Sequence, residues 1–179
     1  MTADAPVMSP KTKYLYVVRD GRDVMMSMHN HHSNFAPIAF DLINKTPGRV
    51  GDPLPPADPD PRRYFRTWLD HDGAPFWSFW ENIASWGAIR HLPNVRLVHF
   101  ADLKRDLAGE MRSIADFLGI EVAEERWPQL VEHCSFDWMK RNAERVAPLA
   151  GAIWEGGAAT FVNRGVNGRW HDVLTVRDS

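Results

Sequence analysis

The sequence predicts an α/β fold built around a parallel sheet, and three observations carry that prediction. Two short runs, Tyr14–Val18 and Asn94–Phe100, are apolar and rich in β-formers, with lengths suited to buried strands. Around them lie segments with apolar residues at helical spacing, so strands alternate with helices. The chain, 179 residues of which 44% are hydrophobic and 25% charged, is large and apolar enough for one domain, 1–179, with a real core.

The elements follow in chain order. The first ten residues read as a flexible lead-in. After the Tyr14–Val18 strand, Asp20 is placed to cap a helix, with Asp23 three residues on as a weak capping box, and Val24 to about His32 reads as helix. Residues 33–74 read as mostly irregular. The stretch "GRVGDPLPPADPDP" alone holds five prolines and two glycines, and regular structure does not tolerate that density. Loops of this length are functional or disordered, and Ser33 to Pro61 is by position alone a candidate lid.

Pro75 is expected to open the helix "PFWSFWENIASWGAIRH", on which Phe76, Phe79, Trp80, Ile83, Trp86 and Ile89 share one wide face suited to a core. The strand Asn94–Phe100 comes next. The amphipathic helix "DLAGEMRSIADFLGI" follows, stopped by Gly119. A short helix spans Glu124 to His133, and beyond Lys140 the chain loosens into "GAIWEGGAATFVNRGVNGRW", with five glycines.

Composition excludes several classes. A formal net charge of −2 supplies no basic field for nucleic acid or anionic membrane. No apolar run approaches the roughly 20 residues of a membrane span. The opening "MTADAPVMSP" lacks the pattern of a secretory signal, and Cys134 is the sole cysteine, so neither an internal disulfide nor a cysteine zinc site forms. The expectation is a cytoplasmic protein.

Two stretches carry polar chemistry. In "KYLYVVRDGRDVMMSM", Arg19 ends the first strand and Ser27 follows eight residues later in the next helix. Ligands of open α/β sheets bind beyond the carboxyl ends of strands. A guanidinium fork, a hydroxyl and a helix N-terminus there suit a phosphate. Half of a phosphate cradle and a surface pairing of Arg19 with Asp20 or Asp23 both remain open from the residues alone. In "FVNRGVNGRW", Asn163, Arg164 and Gly165 offer donors and close backbone approach, which an ordinary surface turn also uses.

Taken together, the motifs resemble those of the cytosolic-type sulfotransferases, which use the donor PAPS (3'-phosphoadenosine 5'-phosphosulfate). "YLYVVRDGRDVMMSM" is similar to their 3'-phosphate-binding segment. "VRLVHFADLKRDLAGEMRSIADFLGI" is similar to their "EDLK" and "FLGI" strand and helix. "HCSFDWMK" resembles the segment that stacks on adenine, and "FVNRGVNGRW" resembles the "RKGxxGxW" loop over the 3'-phosphate.

The resemblance implies a three-layer sandwich with a P-loop NTPase-like sulfotransferase fold. It implies that Arg19 and Ser27 bind the 3'-phosphate and that Asn163, Arg164 and Gly165 complete that site. Phe136 would stack on adenine with Cys134 beside it, and Phe100 would lie near the base. PAPS is the implied donor and PAP (3',5'-adenosine diphosphate) the product, without a metal. The implied reaction is in-line transfer of a sulfuryl group to a small-molecule hydroxyl or amine.

The chain departs from the family pattern in three respects. Asn163 stands where the family has an arginine, and Ala101 where it has the glutamate of "EDLK". The segment like "YPKSGTTW" that binds the 5'-phosphosulfate is not found, so the domain is expected to be incomplete at its N-terminus. Neither the catalytic base nor the 5'-side lysine is assigned. His29, His31 and His32 read as solvated residues at a helix end rather than as a base or a metal site, and His71 and Asp72 as acceptor-site or plain surface residues. Two alternatives to an active enzyme stand. One is a non-catalytic PAP-binding remnant. The other is a structural fragment that forms a homo-oligomer through a bared sheet edge.

Overall fold

The computed structural model describes residues 9–178. Most of the expected N-terminal lead-in lies outside the described residues. The chain forms two compact units. One runs to Asp20 and takes in Trp68–His133, and the other comprises Gly21–Thr67 and the chain from Cys134 onward.

The first unit is built on strand β1 (Tyr14–Val18) and strand β2 (Val95–His99), paired in parallel from Tyr14↔Val95 to Val18↔His99. This is the small parallel sheet of an α/β fold, and it has two strands among the described residues. Val95 and Val98 of β2 are buried. On β1 the alternation that a strand imposes is visible: Tyr14, Tyr16 and Val18 are half-buried, while Leu15 and Val17 are 38% and 59% exposed.

Helix α4 (Phe79–Ala88) packs on the Tyr16 side. The Trp86 ring stacks on Tyr16 with centroids 4.9 Å apart, and the Tyr16 hydroxyl donates to Asn82 Oδ1 at 2.6 Å. Helix α4 does not start at Pro75 as expected. Ser78 is its cap, accepting from the Glu81 amide at 3.3 Å, and Asp72 accepts from the amides of Phe79 and Trp80 at 3.0 and 2.7 Å. Asp72 is thereby a helix-capping residue. Its Ser78 hydroxyl bond, then those amides, hold its carboxyl below the usual range. The expected core face is only partly buried, since Trp80 is 48% exposed.

Phe100 is not the end of a strand. It opens α5 (Phe100–Arg105), which His99 caps through the Ala101 amide at 3.1 Å. Helix α6 (Leu107–Leu118) follows the sequence expectation, with Asp106 accepting from the Gly109 amide at 2.8 Å and Gly119 closing it at φ 73°. Arg96 of β2 ties to this helix through the Ser113 carbonyl at 2.9 Å. Helix α7 (Trp127–His133) buries Trp127 beneath the Arg112 guanidinium, 4.6 Å from the ring centroid.

The second unit holds helix α1 (Gly21–Ser33), with Asp23, Met25, Met26 and His32 buried. The region 33–74 contains two helices that its proline content hides, α2 (Pro37–Asn44) and α3 (Pro61–Asp70), and is otherwise irregular. In α3, Tyr64 and Phe65 are buried. The proline density that argued against structure is confined to the stretch between these helices, and Pro37 and Pro61 each sit at a helix start, where a missing amide costs nothing.

The late chain is likewise more ordered than expected. It forms α8 (Phe136–Arg141), α9 (Ala143–Val146) and α10 (Ala158–Phe161), with Ala143, Ala147, Ala158 and Val162 as a shared core. Trp154 forms a bridge with Phe35. Near the end, Asp178 accepts from Arg62 Nη2 at 3.0 Å and Arg66 Nη2 at 2.8 Å. Hydrogen bonds from Thr175, then from the two arginines, hold its carboxyl far below the usual range.

Candidate functional site

The register of the sheet determines the first half of the site. Because Val18 pairs with His99, the next residues of the two strands, Arg19 and Phe100, emerge side by side at the carboxyl end. The Arg19 guanidinium lies over the Phe100 ring, 4.6 Å from its centroid. Two residues expected from separate motifs are thus brought together, and one face of Phe100 is taken by the cation.

In the second unit, Ser27 is half-buried on α1. Phe136 opens α8, whose cap Ser135 accepts from the Trp138 amide at 3.2 Å, and Cys134 just before it is exposed. Phe136 packs on the Ala143, Ala147, Ala158 and Val162 core. Gly165 lies directly against that ring: a Cβ there would sit 2.2 Å from Phe136 Cδ2, and its φ is +62°. These two residues, also expected from different motifs, are brought together too. Asn163 is half-buried and Arg164 exposed.

Several residues of this region went unpredicted. Lys140 donates to the carbonyls of Ala159 and Asn163 at 3.0 and 3.2 Å, and also to that of Val162, clamping the start of the late loop. Asp23 has a role that the helix start does not suggest. Its carboxylate accepts from the amides of Gly168 and Arg169 at 2.8 and 3.1 Å. The "MK" of "HCSFDWMK" offered a signal for Lys140, but nothing local foretells a contact that spans 145 positions.

The histidines are not solvated. His32 is buried, with Nε2 donating to the Pro55 carbonyl at 2.8 Å and Nδ1 facing the Tyr64 hydroxyl at 3.3 Å. His29 Nε2 donates to the Asp58 carbonyl at 2.9 Å. His31 packs against Trp154 and Phe161, each 5.5 Å between centroids. The rings of His29 and His32 both pack against Tyr64, and among the described residues no three His, Cys, Asp or Glu gather as a metal-holding group.

Burial lowers the pKa of His31 and of His32, with His29 adding repulsion at His32, and burial pushes Tyr64 up to about 12. A histidine lowered from its ordinary value of about 6.5 takes its proton first in the unfolded chain. The stability it contributes is complete above pH 6.5 or so and falls as the pH drops below it. The melting temperature is therefore expected to fall between pH 7 and pH 5, and less steeply in a His32→Gln variant. Parallel thermal melts across that range check this.

A family model described as the sulfotransferase domain matches residues 2–179. The chain belongs to the sulfotransferase domain family. A glycolipid sulfotransferase of Mycobacterium bovis is 27% identical to this sulfotransferase domain over 194 residues, covering 96% of this chain and 59% of the relative. Sulfotransferase 2B1 of Mus musculus is 27% identical over 172 residues, with 96% and 46% covered. Among solved structures, mouse sulfotransferase SULT7A1 complexed with PAP is similar in fold, with a TM-score of 0.67 at 22% identity over 93% of this chain and 54% of the other. Retinol dehydratase in complex with androsterone and the inactive cofactor PAP gives 0.66 at 26% identity, over 93% and 43%. The chain thus spans about half the length of the relatives it matches. Among the described residues no helix is long and apolar enough to cross a membrane.

Proposed function

We propose that this sulfotransferase domain binds the 3'-phosphoadenosine part of PAPS and serves transfer of its sulfuryl group to a hydroxyl or amine of a small molecule. In that transfer the bond from sulfur to the 5'-phosphate oxygen breaks, a bond from sulfur to the acceptor forms, the acceptor proton passes to a base, and PAP leaves with the bonding electrons. Arg19 and Ser27 would hold the 3'-phosphate, with Asn163, Arg164 and Gly165 adding to it from the late loop. Phe136, Cys134 and Phe100 would meet the adenine.

The observation that carries this reading is the register-determined pairing of Arg19 with Phe100 at the carboxyl ends of two parallel strands. The PAP complexes of the similar structures support the choice of ligand. The residues fit such a group: a fixed guanidinium, a hydroxyl and an exposed arginine suit a dianion, and half-buried aromatics suit a purine. Asn163 lacks the charge of the family's arginine, so affinity for PAP is expected to be lower than in relatives that carry it.

The test is calorimetric titration with PAP of this chain and of an Arg19→Ala variant. Binding is expected, with a loss of tenfold or more in the variant, since a charge-assisted contact to phosphate goes. Equal binding by both would overturn the assignment of Arg19. A folded chain that ignores PAP would overturn donor binding itself and leave the motifs as scaffold. With donor binding in hand, sulfuryl transfer to a glycolipid, the acceptor class named for the mycobacterial relative, is the first activity to assay.

A second reading rests on the exposed Leu15 and Val17 of β1. Apolar side chains on a two-stranded sheet favour association with a second copy of the chain. Size-exclusion chromatography with light scattering decides it: a monomer at tens of micromolar would rule this association out.

A further inference from the structure

Asp23 is 2% exposed, and the donation it receives comes from the far end of the late loop. Oδ2 accepts from the Gly168 amide at 2.8 Å and Oδ1 from the Arg169 amide at 3.1 Å, so both carboxylate oxygens are engaged by consecutive backbone N–H groups. The neighbouring Arg22 places its guanidinium 3.6 Å from the centroid of Trp170. Two consecutive residues of α1 therefore hold three consecutive residues of the loop.

The near end of the same loop is held independently. Lys140 binds the carbonyls of Val162 and Asn163, and Gly165 rests on Phe136. Between these anchors, Arg164, Val166 and Asn167 are exposed. The loop is tied at both ends and presents its middle to solvent. Asp23 and Ser27 are four residues apart on α1, one turn along the same face. Docking the loop on Asp23 aligns it with the face that carries Ser27.

We infer that Asp23 is a positioning residue for the nucleotide's 3'-phosphate. Buried and opposite in sign to the loop's arginines, it does not touch the ligand. It orders residues 163–169 on the Ser27 face of α1 before the ligand arrives, so the entropy of ordering the loop is met in folding and not in binding. This rests on the donor-binding reading for its ligand, whereas the docking of the loop stands apart from it.

The test compares the chain with Asp23→Asn, which keeps the shape but replaces one acceptor by a donor facing a backbone N–H. PAP affinity is expected to fall roughly ten- to a hundredfold. Affinity for adenosine 5'-monophosphate, which lacks the 3'-phosphate, is expected to stay the same. General loosening of the fold would weaken both nucleotides equally and would overturn the inference, as would unchanged PAP affinity.

Two readouts need no nucleotide binding. Trypsin is expected to cut the variant after Arg164 and Arg169 well before it cuts the parent chain. In the parent chain the amides of Gly168 and Arg169 are expected to exchange slowly with solvent. Exchange at unstructured rates would overturn the docking even if Asp23→Asn does not fold. If the parent chain ignores PAP while these amides are protected, it is the donor-binding reading that has failed and not the docking.

Discussion

Gly165→Ala is expected to destabilise the second unit by about 2 to 5 kcal/mol and to abolish PAP binding. The figure combines roughly 1–2 kcal/mol for placing a Cβ in the left-handed region with roughly 1–3 kcal/mol for overpacking. At φ +62° the new methyl group would meet Phe136 Cδ2 at 2.2 Å and Cε2 at 2.7 Å, well inside contact distance. Phe136 cannot retreat freely, because it packs on the Ala143, Ala147, Ala158 and Val162 core. Either the ring or the loop must move, and both belong to the proposed nucleotide site. For a chain of this size the shift in melting temperature is about 5–15 °C. A double-mutant cycle with Phe136→Ala separates the causes. Truncating the ring removes the clash but not the backbone strain, so the pair should cost less than the sum of its members. Strict additivity would mean that Gly165 and Phe136 are not in contact.

The contrast between what was legible and what was not has a physical basis. β1 was readable to the residue, because a five-residue run of β-formers has few other uses. Helix α6 was readable because an apolar stripe is closed by a glycine in the left-handed conformation. Pro75 suggests an earlier start for α4 than the "SFWE" capping signal sets, in which Ser78 receives the Glu81 amide. Helices α2 and α3 were hidden by prolines that in fact start them. Tyr64 and Trp68, four residues apart and both buried, were the missed clue.

The site divides the same way. Arg19, Phe100, Phe136 and Gly165 stood in recognisable segments, and the pairing of the first two follows once the strands are placed in parallel. The sequence around Asp23 points only to a helix start. Its partners, Gly168 and Arg169, are distant in sequence, and a single chain carries no mark of such a contact. The burial of His32 was missed for a similar reason, since it depends on Pro55 and Tyr64 from the segment that was read as irregular.

Gly151→Ala is expected to be more damaging than Gly165→Ala, although the substitution is the same. Gly151 is buried at φ +85°, directly after Leu149 and Ala150, which themselves stand at φ 49° and 51°. This left-handed turn leads to Trp154 and its bridge with Phe35. A Cβ on Gly151 would meet the Ala158 nitrogen at 2.1 Å, the Ala158 Cα at 2.5 Å and the Gly157 carbonyl carbon at 2.6 Å. All three are backbone atoms, so no rotamer change relieves the clash and no truncation rescues it. Relief requires α10 to shift, and with it the Ala158 and Val162 part of the core. The expected result is loss of soluble folded protein, or a melting temperature lowered by more than 10 °C, at about 3 kcal/mol or more. Leu149→Gly should be near neutral by comparison, since it removes left-handed strain from an exposed residue while adding freedom to the unfolded chain. Expression yield and thermal melts of the two variants side by side check the pair of outcomes. A Gly151→Ala chain that melts within 2 °C or so of the parent would mean that this turn is not left-handed in solution.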